Sequence, residues 1–168
     1  MAFVDIYGAI VANTVYVNNT LVAKDVEATL PEVTPVAADI EAMGTMSLPI
    51  WQRLDNMELT ITKIGVDKGL RAMITPDTIS LEMRFVQSVT DANGKTTQKD
   101  CKAFLKGIPS KIPGIALTVG EGSSNEATFT VTRYQLYVDG EELFLIDRLA
   151  GIVKVNGVDY MSATNSLL

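Results

Sequence analysis

The chain has 168 residues, of which 47% are apolar, and a formal net charge of −6. This length predicts one domain over residues 1–168, with a core that needs no metal or disulfide. The acidic balance argues against tight nucleic-acid binding, and the absence of histidine removes the commonest general base and metal ligand, so we expect no enzyme and no cofactor. No apolar run reaches the ~18 residues of a membrane span, so we expect no membrane anchor.

The first part of the chain divides into short strands. Asn18-Asn19 separates Thr14–Val17 from Thr20–Ala23, which predicts a hairpin with a two-residue turn. Asp25–Leu30 alternates apolar and polar residues and predicts a strand with one buried face. Prolines interrupt the chain after this strand, so any continuation through Val36–Glu41 is expected to have an edge or a kink.

The next segment, Met43–Arg53, has no clean period, and we interpret it as a long loop. It is too apolar for a free loop, and methionine adapts to imperfect surfaces. The large apolar residues of this segment are Met43, Met46, Leu48, Ile50 and Trp51. Two interpretations stay open: the segment contacts another copy of the chain, or Trp51 folds back onto the core of its own chain.

Two strands and the single predicted helix follow. Met57–Ile64 and Ile79–Phe85 both alternate apolar and polar residues, so each is predicted to be a strand with one face on the core. Between them, Asp67–Ile74 is predicted to be a helix, because Asp67 can cap its start and Pro76 follows its end.

Glycine and proline mark the connections of the next part. Asn93-Gly94 predicts a turn before a returning strand, Thr97–Leu105. Lys106–Gly122 holds two prolines and several glycines and is interpreted as a connection. Ala127–Val138 is predicted to be a strand whose apolar face changes sides near Arg133, which indicates a bulge.

Two groups of residues could in principle react or bind a metal ion, but the sequence pattern around each is weak. Cys101, the single cysteine, lies among Lys99, Asp100 and Lys102, and the two cations would lower its pKa. Without a base or a second cysteine, we interpret Cys101 as an incidental strand residue. Four acidic residues lie close together near the C-terminus, but their spacing fits no calcium-binding loop, so we predict no metal site. These residues are Asp139, Glu141, Glu142 and Asp147.

The most informative stretch is Tyr134–Asp159. Asp139-Gly140 separates two apolar, β-rich runs and is a strong hairpin signal. Ile146-Asp147 and Asn156–Asp159 follow, and this combination resembles the C-terminal block of the major tail tube proteins of contractile-tailed bacteriophages and R-type tailocins. Earlier parts of the chain are similar to the same family in the same order. These parts are Val26–Leu30 with Pro31, then Gly44, Pro49 and Leu54–Ile64, and finally Gly65-Val66-Asp67 leading into the helix.

The resemblance implies a mainly β fold: a small β-sandwich or barrel with one short α-helix. Long hairpins of each subunit would complete an inter-subunit β-barrel in a hexameric ring, and stacked rings would form a tube in the virion tail or tailocin particle. The implied partners are other copies of the chain, a tail sheath protein, a baseplate and a tape-measure protein. DNA or ions would pass through the channel without specific binding, and assembly would take place in the bacterial host cytoplasm.

The resemblance also implies roles for particular segments. The barrel would use Val26–Glu41 with Leu54–Ile64, and Ile79–Val89 with Thr97–Leu105. The segment Met43–Arg53 would be the ring-stacking loop. The channel would be faced by polar residues of two of these strands, namely Glu58, Thr60, Thr62, Glu82 and Arg84. The same residues also fit ordinary solvated strand faces, so both interpretations stay open.

Two other functions are considered. A type VI secretion-like tube or ring protein would share this architecture, although Asn156–Asp159 favours the phage-type tube. A β-sandwich module that binds carbohydrate or serves as an adhesin would expose several aromatic residues on one strand face. Tyr134 and Tyr137 fall on opposite faces of their strand, which argues against that module.

Overall fold

The computed structural model describes residues 5–168, and this part of the chain is mainly β, as predicted. It contains twelve strands and two short helices. The strands are β1 (Ile6–Val17), β2 (Thr20–Lys24), β3 (Glu27–Thr29), β4 (Pro35–Glu41), β5 (Thr45–Leu54), β6 (Met57–Ile64), β7 (Ile79–Thr90), β8 (Thr96–Pro109), β9 (Ser124–Val138), β10 (Glu141–Asp147), β11 (Ile152–Val155) and β12 (Val158–Asp159). The helices are α1 (Lys68–Ile74) and α2 (Ser162–Leu167).

Helix α2 was not predicted, because its sequence carries none of the usual signals. It has no side-chain cap and no buried residue, and therefore no apolar stripe that a pattern would reveal. Within residues 5–168, neither helix has the length and hydropathy needed to cross a membrane.

One branched antiparallel sheet contains ten of the strands. Its main path runs in the order β12-β11-β10-β9-β8-β7-β1-β2, and β6 branches from β9 and pairs with β3. Strand β9 changes its neighbour along one edge: Ser124–Val131 pairs with β6, and Arg133–Val138 pairs with β10. On the other edge, the pairing with β8 skips Thr132. This is the bulge that the change of apolar face predicts near Arg133.

Three tight hairpins have a positive φ at both turn residues, as a type I′ turn requires. The φ angles are 48° and 65° at Asn18-Asn19, and 51° and 80° at both Asp139-Gly140 and Asn156-Gly157. In each case, the flanking residues pair across the turn. The hairpins that are predicted at Asn18-Asn19 and Asp139-Gly140 are therefore confirmed.

One hydrophobic core joins the two branches of the sheet. The apolar side chains that are 0% exposed come from β1, β6, α1, β8 and β9: Val15, Met57, Leu59, Ile61, Met73, Ala103 and Phe129. The predicted apolar face of β7 is buried at Ile79, Leu81 and Met83. Phe85 is only half-buried, because β7 continues beyond the core to Thr90.

The interpretation of Met43–Arg53 as a loop is wrong. From Thr45 onward this segment is strand β5, which pairs with β4 in a separate two-stranded sheet that we call the arm. The alternation of Met46, Leu48 and Ile50 was obscured by a proline at position 49, and such a residue is tolerated in a strand that has a free edge.

The partner that was predicted for Val26–Glu41 is also different in the structure. Only the three residues of β3 pair with β6, at Thr60–Thr62. The rest of the predicted strand is β4, whose partner is β5 instead of Leu54–Ile64. The physical reason is that β5 directly follows β4 in the chain and pairs with it as a hairpin.

Helix α1 begins and ends as predicted. The Asp67 side chain caps it by accepting a hydrogen bond from the Leu70 amide at 3.0 Å and from Lys63 Nζ at 2.8 Å. The hydrogen bond from Lys63 lowers the pKa of Asp67 most, and the hydrogen bond from the Leu70 amide lowers it next most. The stabilisation from this cap is therefore present at neutral pH and is lost as the pH falls through the lowered pKa.

The packing of α1 on β2 predicts the effect of Gly69→Ala. Alanine favours a helix over glycine by about 1 kcal/mol, but a Cβ at Gly69 would lie 2.4 Å from the Val22 carbonyl oxygen. We therefore expect the free energy of unfolding to fall by about 1–3 kcal/mol, as measured by urea denaturation. Arg71→Ala, an exposed position of the same helix, serves as control and should change it by less than about 0.5 kcal/mol. A Gly69→Ala variant as stable as the wild type would contradict this account.

Candidate assembly surfaces

The arm is amphipathic. Three apolar residues of β4 lie opposite apolar residues of β5: Val36 opposite Ile50, Ala38 opposite Leu48, and Ile40 opposite Met46. Because paired residues share a face, these side chains form one surface, which we call the apolar arm face. The opposite face carries Asp39, Glu41, Thr45 and Ser47.

The apolar arm face remains open to solvent in the single chain. Ile40, Met46 and Leu48 are each 41–45% exposed. Three of the five candidate stacking residues, Met46, Leu48 and Ile50, therefore share one surface. Their partners on β4 were not predicted, although the alternation within Val36–Ile40 was a signal for them.

The other two candidate stacking residues lie elsewhere. Met43 is at the tip of the arm, fully exposed, with a φ of +55°. Trp51 is at the base and is 42% exposed, where it lines a shallow surface cavity with Val153, Val155 and Tyr160. Trp51 therefore lies against the C-terminal strands, outside the main core and away from the tip.

Arg148 holds the base of the arm. Its Nη2 donates a hydrogen bond to the Leu54 carbonyl at 3.0 Å, and its Nη1 donates to the Asp55 carbonyl at 3.5 Å. The carboxylate of Asp147 accepts hydrogen bonds from the Leu149 and Ala150 amides at 3.1 and 3.0 Å, which shapes the turn that carries Arg148. The C-terminal strands thus set the position from which the arm projects.

The candidate channel residues all lie on strand faces that point away from the core, in two separate groups. Glu58, Thr60 and Thr62 alternate with the buried residues of β6. On β7, Arg84 Nε donates to Glu82 Oε1 at 2.6 Å, and the Arg84 guanidinium lies 4.6 Å from the centre of the Tyr16 ring. No hydrogen bond or ion pair of the described residues joins the two groups.

The surface around Glu82 and Arg84 is mixed in charge. The β7–β8 and β8–β9 registers place Lys102, Lys106 and Arg133 on the same face. The net charge of −6 is therefore not concentrated on this part of the sheet. An acidic channel wall would repel the phosphates of DNA. This face of β7, β8 and β9 does not form such a wall, because its cations accompany Glu82.

Cys101 and the C-terminal acidic residues have ordinary structural surroundings. Burial, and next the nearby Asp100, raise the pKa of Cys101, so the predicted lowering by Lys99 and Lys102 is wrong. Asp139 pairs with Lys99 at 3.2 Å instead. Within residues 5–168, no three Cys, Asp or Glu side chains are grouped so that they would hold a metal ion.

Comparisons with known proteins add two findings. The sequence matches the family model described as phage tail tube protein FII over residues 9–168. A chain from an extracellular contractile injection system, the PVC sheath-tube complex in its extended state, is 12% identical, with a TM-score of 0.49 over 74% of this chain and 87% of that chain. A search of curated proteins found no match. The structural likeness is too distant to carry an argument, whereas the family match spans nearly the whole chain.

The contact between Arg148 and the arm predicts the effect of Arg148→Met. Loss of the two hydrogen bonds to the carbonyls of Leu54 and Asp55 should loosen the arm and lower the free energy of unfolding by about 1–3 kcal/mol. Hydrogen–deuterium exchange should become faster in β4 and β5 and stay unchanged in β6. Arg53→Met, an exposed position on the arm itself, is the control. Unchanged exchange of the arm in Arg148→Met would show that this contact does not hold it.

Proposed function

The chain belongs to the family of phage tail tube protein FII, and on this premise we propose that identical copies form hexameric rings that stack into the inner tube of a contractile tail. A structural role in a tail tube follows from the family itself. The family is structural, which argues against an enzymatic role. The number of subunits in a ring, the stacking contacts and the particle are parts of the proposal.

The observation that best supports self-assembly is the arm. A two-stranded hairpin is only marginally stable when it stands alone in water, and the apolar arm face is open to solvent at Ile40, Met46 and Leu48. Both outer edges of the arm also lack a strand partner within the described chain. Contact with another copy would cover the apolar arm face and would also give the free edges of the arm hydrogen-bond partners.

We assign ring stacking to the apolar arm face and the arm tip. In this assignment, Met43 at the tip of the arm contacts the neighbouring ring, and Met46 and Leu48 are buried against the same ring. Methionine suits such a contact because its flexible thioether adapts to small differences between surfaces. Arg148 holds the base in the orientation that the contact needs, and Trp51 lies beside it with 42% of its surface exposed, open to the same neighbouring copy.

We assign ring closure to the long ribbon of β7 and β8, which continues beyond the core. The outer edge of β8 before Cys101 has no strand partner among the described residues, and there it would pair with a neighbouring subunit to complete a barrel. The channel would then be faced by Glu82 and Arg84 of β7, and by Glu58, Thr60 and Thr62 of β6. A cryo-EM map of the tube that places these five side chains on its outer rim would remove this assignment.

The proposal extends to the particle. A sheath protein would surround the tube, and baseplate and tape-measure proteins would set its start and its length. The tube would belong to a phage tail or to an R-type tailocin that assembles in the bacterial host cytoplasm. DNA, or ions in the tailocin, would pass through the channel without specific binding.

Negative-stain electron microscopy of the purified protein tests self-assembly directly. We expect hollow tubes or six-fold rings when the protein is concentrated. Analytical ultracentrifugation of the same samples would measure the fraction that assembles. A protein that stays monomeric at every concentration, and also in the presence of preformed tail baseplates, would contradict the proposal.

The two faces of the arm predict opposite outcomes for neighbouring lysine substitutions. Leu48→Lys puts a charge on the apolar arm face, so we expect a folded subunit that forms at most single rings. Ser47→Lys puts the same charge on the polar face of the same strand and should leave tube formation unchanged. Tube length by electron microscopy is the measurement, and circular dichroism checks folding. Tubes of normal length from Leu48→Lys would show that this face is not the stacking surface.

A further inference from the structure

The connection between β8 and β9 contains a strand-like segment without a partner. Ile115, Leu117 and Val119 alternate with small residues, and they are 43%, 87% and 104% exposed. This is the pattern of a strand with one apolar face. No backbone hydrogen bond of the described chain involves residues 111–117, which belong to no helix or strand. We call residues 114–119 the free segment.

The first half of β1 has the complementary property. Beyond the part of β1 that pairs with β2, its outer edge has no strand partner in the part of the chain that the structure describes. Four large side chains here are 52–69% exposed: Ile6, Tyr7, Ile10 and Val11. The register of this part of β1 with β7 shifts twice, between Tyr7 and Ile10 and between Ile10 and Ala12. We call residues 6–12 the open edge.

The open edge and the free segment both lack the charged side chains that usually keep a free strand edge from pairing with another chain. Proteins commonly blunt a free strand edge with lysine or another charged side chain. Neither residues 6–12 nor residues 112–120 contain a charged side chain, in a chain that is 20% charged. Two neutral apolar stretches, each with unpaired backbone groups, are therefore complementary in chemistry and nearly equal in length.

The other regular edge of the large sheet is already covered. Strand β2 lies at that edge, and helix α1 packs so closely on it that a Cβ at Gly69 would lie 2.4 Å from the Val22 carbonyl oxygen. Strand β12, at the opposite end of the sheet, has only two residues. The open edge of β1 is thus the longest uncovered edge of this sheet within residues 5–168.

The two stretches are not paired with each other within the described chain. The open edge begins beside Thr90, and the free segment follows the end at which Ile79 pairs with Gly107. Pairing between them therefore requires a second copy, in which the open edge of one chain meets the free segment of the other.

We propose that the free segment of one copy adds as a strand to the open edge of β1 in a second copy. This inference rests on the proposed tube, because it names a second contact by which identical subunits meet. Each chain offers one segment and one edge, so the contact is heterologous and repeats from copy to copy. The pairing satisfies the backbone groups of both stretches and buries their apolar side chains.

A pair of lysine substitutions tests the contact. Leu117→Lys places a charge in the free segment, and Leu149→Lys places it at a turn residue that is equally open, at 84% exposure against 87% for Leu117. Both variants should fold, because both side chains are solvated in the single chain. We expect Leu117→Lys to lower the assembled fraction at least tenfold by sedimentation, and Leu149→Lys to leave it unchanged.

Cysteine cross-linking tests which surfaces meet. In a Cys101→Ser background, a protein with Ala116→Cys is mixed with proteins that carry Gly8→Cys, Ala9→Cys or Ala12→Cys, and the mixture is assembled and oxidised. A disulfide needs Cα atoms within about 7 Å, so a mixed disulfide forms only if residue 116 lies beside the open edge. Ala150→Cys, in the exposed turn next to Leu149, is the control partner.

The outcomes separate this contact from the proposed function. Normal tubes from Leu117→Lys, or mixed disulfides no more frequent than with Ala150→Cys, would overturn the contact and leave the tube intact. A wild-type protein that never assembles would contradict the proposed function and this contact with it. Loss of assembly in Leu117→Lys alone, together with a mixed disulfide at the open edge, would support the contact.

Discussion

The pairing of β9 with three other strands is the constraint on which the rest of this structure depends. One edge of β9 holds β8, and the other edge holds first β6 and then β10. The bulge at Thr132 is where the change takes place. It lets Phe129 and Tyr134 both point into the core although they lie an odd number of residues apart. Opposite the bulge, Gly107 leaves room for the Thr130 carbonyl, which would lie 3.2 Å from a Cβ at that position.

The same requirement for paired backbone groups explains what lies outside the core. Where the sheet finds its own partners, the strands are regular and their inner faces are buried. Where it does not, as along the arm and the first half of β1, apolar side chains stay open to water. In an isolated monomer, the apolar arm face and the unpaired edge of β1 would both stay exposed to water. In the proposed tube, both surfaces would be contacts between copies, so the family and the exposed surfaces support the same function.

The candidate site was predictable in part. The apolar content of Met43–Arg53 pointed to a contact surface, and three of its residues do share one exposed face. What composition did not reveal is that the surface is a hairpin, since its other half comes from Val36–Ile40. The role of Arg148 was also beyond sequence reasoning, because its acceptors are backbone carbonyls more than ninety residues away along the chain. The pKa of Cys101 was misjudged because its burial outweighs the neighbouring lysines.

The local sequence determined several turns, strands and a helix start of this protein. Asn18-Asn19 and Asp139-Gly140 tolerate positive φ, Asp67 caps a helix, and β6 and β7 alternate with period two, so these elements were readable without coordinates. The tertiary structure alone decided which strands pair, since β4 joins β5 and β9 divides its edge between β6 and β10. The physical reason is that a turn or a cap depends on neighbouring residues, whereas strand pairing depends on distant backbone groups that compete for the same hydrogen bonds.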